Sequence, residues 1–288
     1  MEKDDIVITS AFRTAIGKFN GSLSSQTAPE LGSTVIKKCI EKSELKKEEI
    51  DMVYMGQVLT TGSGQNPARQ ASILAGLSNE TTNTTINQVC GSGLASVALA
   101  YNSIKSGDGK VILAGGQESM SNSPHYINIR KGIKMGDGNM KDSMIIDGLW
   151  DVYNQYHMGI TAENVAEKFQ IKREEQDSFA AASQRKATEA IKGKKFVNEI
   201  VPVKIKVKKE EIVFDKDEYP KAESTVEKLA KLRSAFKKDG TVTAGNASGV
   251  NDGAAAVCLM TGELAKKKDI EPLAKIVSWA QCGVDPSI

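Results

Sequence analysis

Short apolar, β-branched runs alternate along the first 120 residues with stretches whose apolar positions recur every three or four residues. Ile6-Val7-Ile8-Thr9-Ser10 reads as a first buried strand. Thr27 as cap and Pro29 in the first turn open a helix carrying Leu31, Val35, Ile36 and Ile40 on one face, a stripe that marks core rather than a site. Met52 to Gly56 follows as a strand, and Asn66-Pro67 starts a helix through Ile73 that Gly76 ends in a left-handed cap. Thr84 to Val89, a helix from about Gly91 to Ser106 and the continuous apolar strand Lys110 to Gly116 extend the alternation. That βαβ order predicts an α/β fold with a largely parallel sheet buried on both faces.

The pattern changes after Ser121. Ser, Asn, Gly and Met become frequent through about Gly159, which predicts an inserted loop domain over 121–249 interrupting a domain at 1–120 that resumes over 250–270. Inside the insertion, helices are expected at Thr161 to Phe169 and Arg173 to Lys192, the second opening on acidic residues and closing on lysines as the helix dipole favours. Glu199 to Phe214 reads as strands or a hairpin and Thr225 to Leu232 as a helix, before a glycine-rich return over Gly245 to Gly253. Ala254 to Met260 is a buried strand, a short helix runs through Lys268, and Lys275 to Ala280 is one more strand.

Composition adds mainly exclusions. With 38 basic and 36 acidic residues the net charge is +2, so no global field favours nucleic acid or an acidic membrane as partner. Lys204-Ile205-Lys206-Val207-Lys208-Lys209 alternates base and apolar residue, the pattern of a half-exposed strand, with a polyanion site as the alternative. Cys39, Cys90, Cys258 and Cys282 are dispersed, and with only His125 and His157 as co-ligands they predict no metal site. No apolar run is long enough to span a bilayer and Met1-Glu2-Lys3-Asp4-Asp5 lacks an apolar signal region, so a reducing cytoplasm is the expected compartment.

Candidate chemistry centres on Asn87-Gln88-Val89-Cys90-Gly91-Ser92-Gly93-Leu94, where a strand pattern meets a thiol and then a glycine-spaced entry into a helix. The positive end of a helix favours a thiolate, and adjacent glycines let a carbonyl approach the backbone. Cys90 is therefore a candidate nucleophile, the alternative being a buried structural cysteine. An ordinary thiol with a pKa of about 8.5 is only a few per cent ionised at neutral pH, so a nucleophile here requires activation.

This stretch resembles the nucleophile signature of the thiolases. Gly62-Ser63-Gly64-Gln65-Asn66-Pro67-Ala68-Arg69-Gln70, Asn154-Gln155-Tyr156-His157-Met158-Gly159 and Asn246-Ala247-Ser248-Gly249-Val250-Asn251-Asp252-Gly253-Ala254-Ala255 resemble three further stretches of that family in the same order. The likeness covers nearly the whole chain and is to the biosynthetic branch, which condenses two acetyl-CoA into acetoacetyl-CoA through an acyl-cysteine and runs in reverse as thiolysis. It implies a thiolase-like fold, an acyltransferase activity with CoA thioesters as substrates and no further cofactor, and a homo-dimer or homo-tetramer. Asn-Glu-Ala-Phe, Gly-His-Pro and Cys-X-Gly stretches of the family's C-terminal half are not in the sequence. The resemblance thus makes 271–288 the start of a shortened C-terminal domain and the chain incomplete for catalysis. A ketoacyl synthase-type condensing enzyme and a non-catalytic acyl-CoA-binding or assembly fragment are the alternatives.

Carried over position by position, the resemblance implies that Leu149, His157, Met158, Lys221 and Ser248 contact CoA, with Cys90 as nucleophile. Ser248 would hydrogen-bond pantetheine amides, Leu149 and Met158 would pack its apolar stretches, and Lys221 would meet a phosphate. Three of these keep an alternative: a Cys-His base role for His157, an exposed surface lysine for Lys221, a tight turn for Ser248-Gly249. His125, in Ser123-Pro124-His125-Tyr126, is expected to be an exposed loop residue.

Overall fold

A computed structural model describes residues 2–207 and 209–288; Lys208, one residue of the lysine-rich stretch above, lies outside the described residues. The chain forms two compact units. One comprises Met1–His125, Glu199–Glu218 and Asn251–Ala280, and the other Tyr126–Asn198, Tyr219–Val250 and Gln281–Ile288. Glu199–Glu218 thus groups with the first unit, where the sequence pattern set all of 121–249 apart.

The first unit is built on a mixed sheet whose strands are β1 (Ile6–Thr14), β2 (Met52–Gly56), β3 (Thr82–Ile86), β4 (Val111–Ser119), β5 (Ile200–Val201), β6 (Asn251–Thr261) and β7 (Ala274–Lys275). Their order is β5-β1-β6-β4-β2-β3, with β7 also pairing β1 and the short strand Gly17–Lys18 pairing β6. Pairing is parallel between β1 and β5, β4 and β2, and β2 and β3, and antiparallel on both sides of β6. Five of the six strands in that order therefore run in one sense, and the sheet is largely parallel as the alternation predicts.

Helices α1 (Ala28–Lys42) and α2 (Pro67–Leu74) cover one face, and α3 (Ser92–Ser106) the other. The strands show why. In β4, Val111 and Leu113 join the cluster with Leu31, Val35, Ile36 and Ala71, whereas Ile112 and Ala114 join the cluster with Ala100 and Ile104. Successive side chains point to opposite faces, so a strand covered on both must be apolar throughout. Thr27 caps α1 with a capping box: its backbone N–H donates to Glu30 Oε2 at 2.7 Å while the Glu30 N–H donates to Thr27 Oγ1 at 3.4 Å.

Several boundaries differ from expectation. β3 ends at Ile86 rather than Val89, because the chain turns through Asn87 to Gly91 before α3. The expected strand over Lys275 to Ala280 is only Ala274–Lys275, opposite Ile8 and Val7. The Ile276 N–H still donates to Ile6 O, but β1 begins at Ile6, so an antiparallel partner runs out of ladder there. Glu199 to Phe214 forms β5 and a hairpin, Val203–Val207 with Glu210–Phe214. Val203 and Ile205 are buried while Lys204 and Lys206 are exposed, the half-exposed strand of the sequence reading.

The second unit contains α4 (Met158–Lys168), α5 (Arg173–Lys192) and α6 (Val226–Leu229), and a short π-helix at Met144–Leu149. α4 begins three residues earlier than its pattern predicts because the His157 side chain caps it, Nδ1 accepting the Gly159 N–H at 3.0 Å. Among the described residues no helix is long and apolar enough to cross a membrane, and no group of three or more His, Cys, Asp or Glu is placed to hold a metal ion.

Candidate active site

Cys90 lies in the turn between β3 and α3, its residue exposed to solvent. A buried structural role is excluded for it. Such a role belongs to Cys39 and Cys258, whose burial pushes their thiols up to about 12 and about 11. No side chain caps the N-terminus of α3, so the fifteen-residue helix presents its positive end beside the thiol. The approach of α3 to the sheet is close enough to require glycine at position 56, where a Cβ would lie 2.5 Å from the Ser92 carbonyl carbon.

The turn is strained at one residue. Val89, immediately before Cys90, has φ of 47°, a left-handed conformation in which a β-branched side chain is an outlier. Such a residue costs about 1–3 kcal/mol and persists only where its surroundings hold it. Here the Val89 N–H donates to Asn87 Oδ1 at 2.9 Å, and Ser92 Oγ donates to Val89 O at 2.6 Å while accepting the Gln88 N–H at 2.8 Å. Asn87 Nδ2 in turn donates to Val58 O at 3.3 Å. The backbone N–H groups of Val58 and Leu59 donate to the Glu118 carboxylate at 2.8 and 3.1 Å. Burial pushes the Glu118 carboxyl above the usual range, against those two hydrogen bonds and with the help of Asp252.

Leu149, His157, Met158, Lys221 and Ser248 all fall in the second unit. Leu149 ends the π-helix, and the next residue, Trp150, pairs with His157 in a two-residue antiparallel ribbon. The His157 ring stacks on Phe236 at 4.8 Å between centroids and 17° between planes. Its burial lowers the pKa below the ordinary histidine value, favouring neutral imidazole. Because Nδ1 accepts the Gly159 N–H, the ring proton belongs on Nε2, and His157 can donate there but has no lone pair left to act as base. Met158 and Ser248 are exposed, as is Lys221, whose N–H donates to Gln184 Oε1 on α5 at 2.7 Å.

The segment leading to Ser248 is held by a polar cluster. Asn246 Oδ1 accepts the Thr243 N–H at 2.7 Å, and Asn246 Nδ2 donates to the buried Asp177 at 2.9 Å and to Thr241 O at 3.1 Å. Arg173 Nε donates to the other Asp177 oxygen at 2.7 Å and Arg173 Nη2 to the carbonyls of Leu229 and Leu232. Neither Phe236 nor Asp177 was a candidate from sequence. An isolated Phe in Ser234-Ala235-Phe236-Lys237 and an Asp in an acidic first turn carry no local signal of the partners that distant residues supply. His125 is exposed, as expected, but it stands in a two-residue strand, His125–Tyr126, rather than in a loop.

An α/β sheet that presents an exposed thiol on a strained turn at a helix N-terminus has the construction of a site for a cysteine nucleophile. The chain belongs to the thiolase family: the family described as thiolase, N-terminal domain, matches residues 6–263. The acetyl-CoA acetyltransferase of Rhizobium meliloti (strain 1021) is 56% identical over 288 residues, 100% of this chain and 73% of that protein. That of Cupriavidus necator is 55% identical over 286 residues, 99% and 73% respectively. The crystal structure of the Bacillus anthracis acetyl-CoA acetyltransferase superposes with a TM-score of 0.96 at 41% identity, over 99% of this chain and 72% of that one.

Proposed function

We propose that the protein is an acetyl-CoA C-acetyltransferase in which Cys90 carries the acetyl group, a reading supported by the relatives' activity and by the solvent-facing thiol on its braced turn. Attack of the Cys90 sulfur on the acetyl carbonyl forms a C–S bond and breaks the one to CoA, which leaves with the proton that Cys90 gave up. One thioester replaces another, so the step needs little driving force. A second acetyl-CoA then gives up an α-proton, its carbanion attacks the acyl-cysteine, a C–C bond forms and the Cys90 sulfur departs and takes up the proton released from the α-carbon, giving acetoacetyl-CoA and the free thiol. The backbone N–H of Cys90, just before α3, suits an oxyanion that develops during acyl transfer, whereas those of Gly91 and Ser92 are engaged by the carbonyls of Gln88 and Val89.

The CoA thioester is substrate, and the reading calls for no further cofactor. Its pantetheine arm would meet Leu149 and Met158 through apolar contact and the Nε2–H of His157 and the hydroxyl of Ser248 through its amides, while Lys221 would meet a phosphate of CoA. A homo-dimer or homo-tetramer goes with this reading, and the exposed Ile129, Ile133, Met135 and Met140 supply apolar surface for such an assembly. The cytoplasm is the proposed compartment, consistent with four free thiols.

The test is peptide mass mapping after incubation with acetyl-CoA, with Cys90→Ala as control. Acetyl should appear on the peptide holding Cys90 and on no peptide of the variant. A chain that takes no acetyl at Cys90, or as much at Cys282 as at Cys90, sinks the reading.

A further inference from the structure

We infer that Asn87 and Ser92 are positioning residues for Cys90, holding Val89 in its left-handed conformation so that the thiol faces solvent at the mouth of α3. The inference rests on the reading of Cys90 as the acyl carrier, and deepens it. The warrant is the way the contacts converge. Val89 is the residue least suited by its side chain to positive φ, and both of its backbone polar groups are engaged: its N–H by Asn87 Oδ1, its carbonyl by Ser92 Oγ at 2.6 Å together with the Ser92 N–H at 3.0 Å. The Ser92 hydroxyl is used twice, donating to Val89 O and accepting from Gln88 N–H, so it ties the turn across its width. Ser92 is 3% exposed, where water is a poor substitute for a lost hydroxyl.

Asn87 anchors the turn to the sheet. Its amide donates to Val58 O, and the N–H of Val58 is fixed by Glu118 at the end of β4. A brace therefore runs from Glu118 through Val58 and Asn87 to Val89, and ends one residue short of the thiol. Gly56 leaves the room that brings Ser92 against the sheet. Without the brace, Val89 gains by moving to an ordinary helical φ near about −63°, a rotation of roughly 110° that redirects everything after it, Cys90 first.

The four free thiols make the test internally controlled. Cys90 and Cys282 are exposed, and Cys39 and Cys258 are buried. Iodoacetamide labelling, followed thiol by thiol by peptide mapping, is compared for the unchanged chain, Ser92→Ala, Asn87→Ala and Asn87→Asp, the last of which keeps the Oδ acceptor. The expected result is a fall of about tenfold in the Cys90 rate for both alanine variants, the size of effect that losing one ordinary hydrogen bond has on an equilibrium. Asn87→Asp recovers most of that loss, Cys282 labels at its original rate, and Cys39 and Cys258 stay protected. A fall of less than threefold at Cys90 in both alanine variants overturns the inference, as does a fall that Asn87→Asp leaves uncorrected. If Cys39 and Cys258 become labelled in Ser92→Ala, that variant has unfolded and the exposed Asn87 pair decides. Iodoacetamide needs no CoA site, so the result stands apart from the acetyl-CoA experiment: a Cys90 that alkylates with the predicted pattern yet takes no acetyl removes the function and leaves the positioning.

Discussion

Helices α1 and α5 are stabilised in opposite ways. α1 buries nine of its fifteen residues, among them Leu31, Val35, Ile36 and Ile40, against the sheet. α5 is twenty residues long and buries Asp177 alone, in an ion pair with Arg173. The first therefore draws its stability from apolar area, about 1.5–3 kcal/mol for each fully buried large aliphatic side chain. The second depends on Arg173, Asp177 and Asn246, which link α5 to the carbonyls of Leu229, the last residue of α6, and Leu232 beyond it, and to the segment before Ser248. An apolar core tolerates small shifts in shape, whereas a buried charge demands each of its partners in place. The sheet unit is thus suited to holding a strained turn rigid, and the second unit's stability is concentrated at a few atoms.

The sharpest way to break this contrast is Asp177→Ala, which strands the Arg173 guanidinium and the Asn246 amide. It should cost about 3–5 kcal/mol and should raise hydrogen exchange over 173–192 and 241–246 while the sheet strands keep their protection. Leu31→Ala should cost about 2–5 kcal/mol with the opposite map, exchange rising in α1 and the strands beneath it. If the two maps coincide, the units do not differ in the way described.

Extremes of pH sharpen the same comparison. Cys39 and Cys258 hold their protons more tightly folded, near about 12 and about 11, than an unfolded thiol at about 8.5. A raised folded pKa gives stability that is complete below the unfolded value and lost as pH rises through the folded one, so the sheet unit should weaken from about pH 8.5 upward. Glu163 in the second unit behaves oppositely. Burial alone would raise its carboxyl, but the N–H groups of Thr241 and Val242 and the Thr241 hydroxyl bring it below the usual range. Its contribution is present above the unfolded pKa of about 4.3 and lost as pH falls through the folded one. Urea unfolding across pH should show Cys258→Ala flattening only the alkaline limb and Glu163→Gln only the acid limb. The smallest effect expected is that of Thr27→Ala, which removes the cap of α1 and should cost about 1 kcal/mol in the same titration at neutral pH.

The α/β alternation, the caps at Thr27 and Asn66, the left-handed end at Gly76 and the span of α5 were legible in the order of residues, because each follows from interactions within a few positions. Chain order also showed that a thiol would stand just before a helix, and the ordered motifs around Cys90, Tyr156-His157-Met158 and Asn246-Ala247-Ser248 carried the family. Long-range packing set the place of β6, which lies more than two hundred residues downstream of β1 yet enters between β1 and β4 and runs against both. The short run Lys275 to Ala280 lost most of its expected strand for a related reason: a partner's length, set elsewhere in the chain, limits the ladder. Val89's conformation and the uses of Ser92, Phe236 and Asp177 were settled at the same level. Periodicity reports which face of an element is apolar; it is silent on hydrogen bonds and stacking whose partners are brought together by the fold.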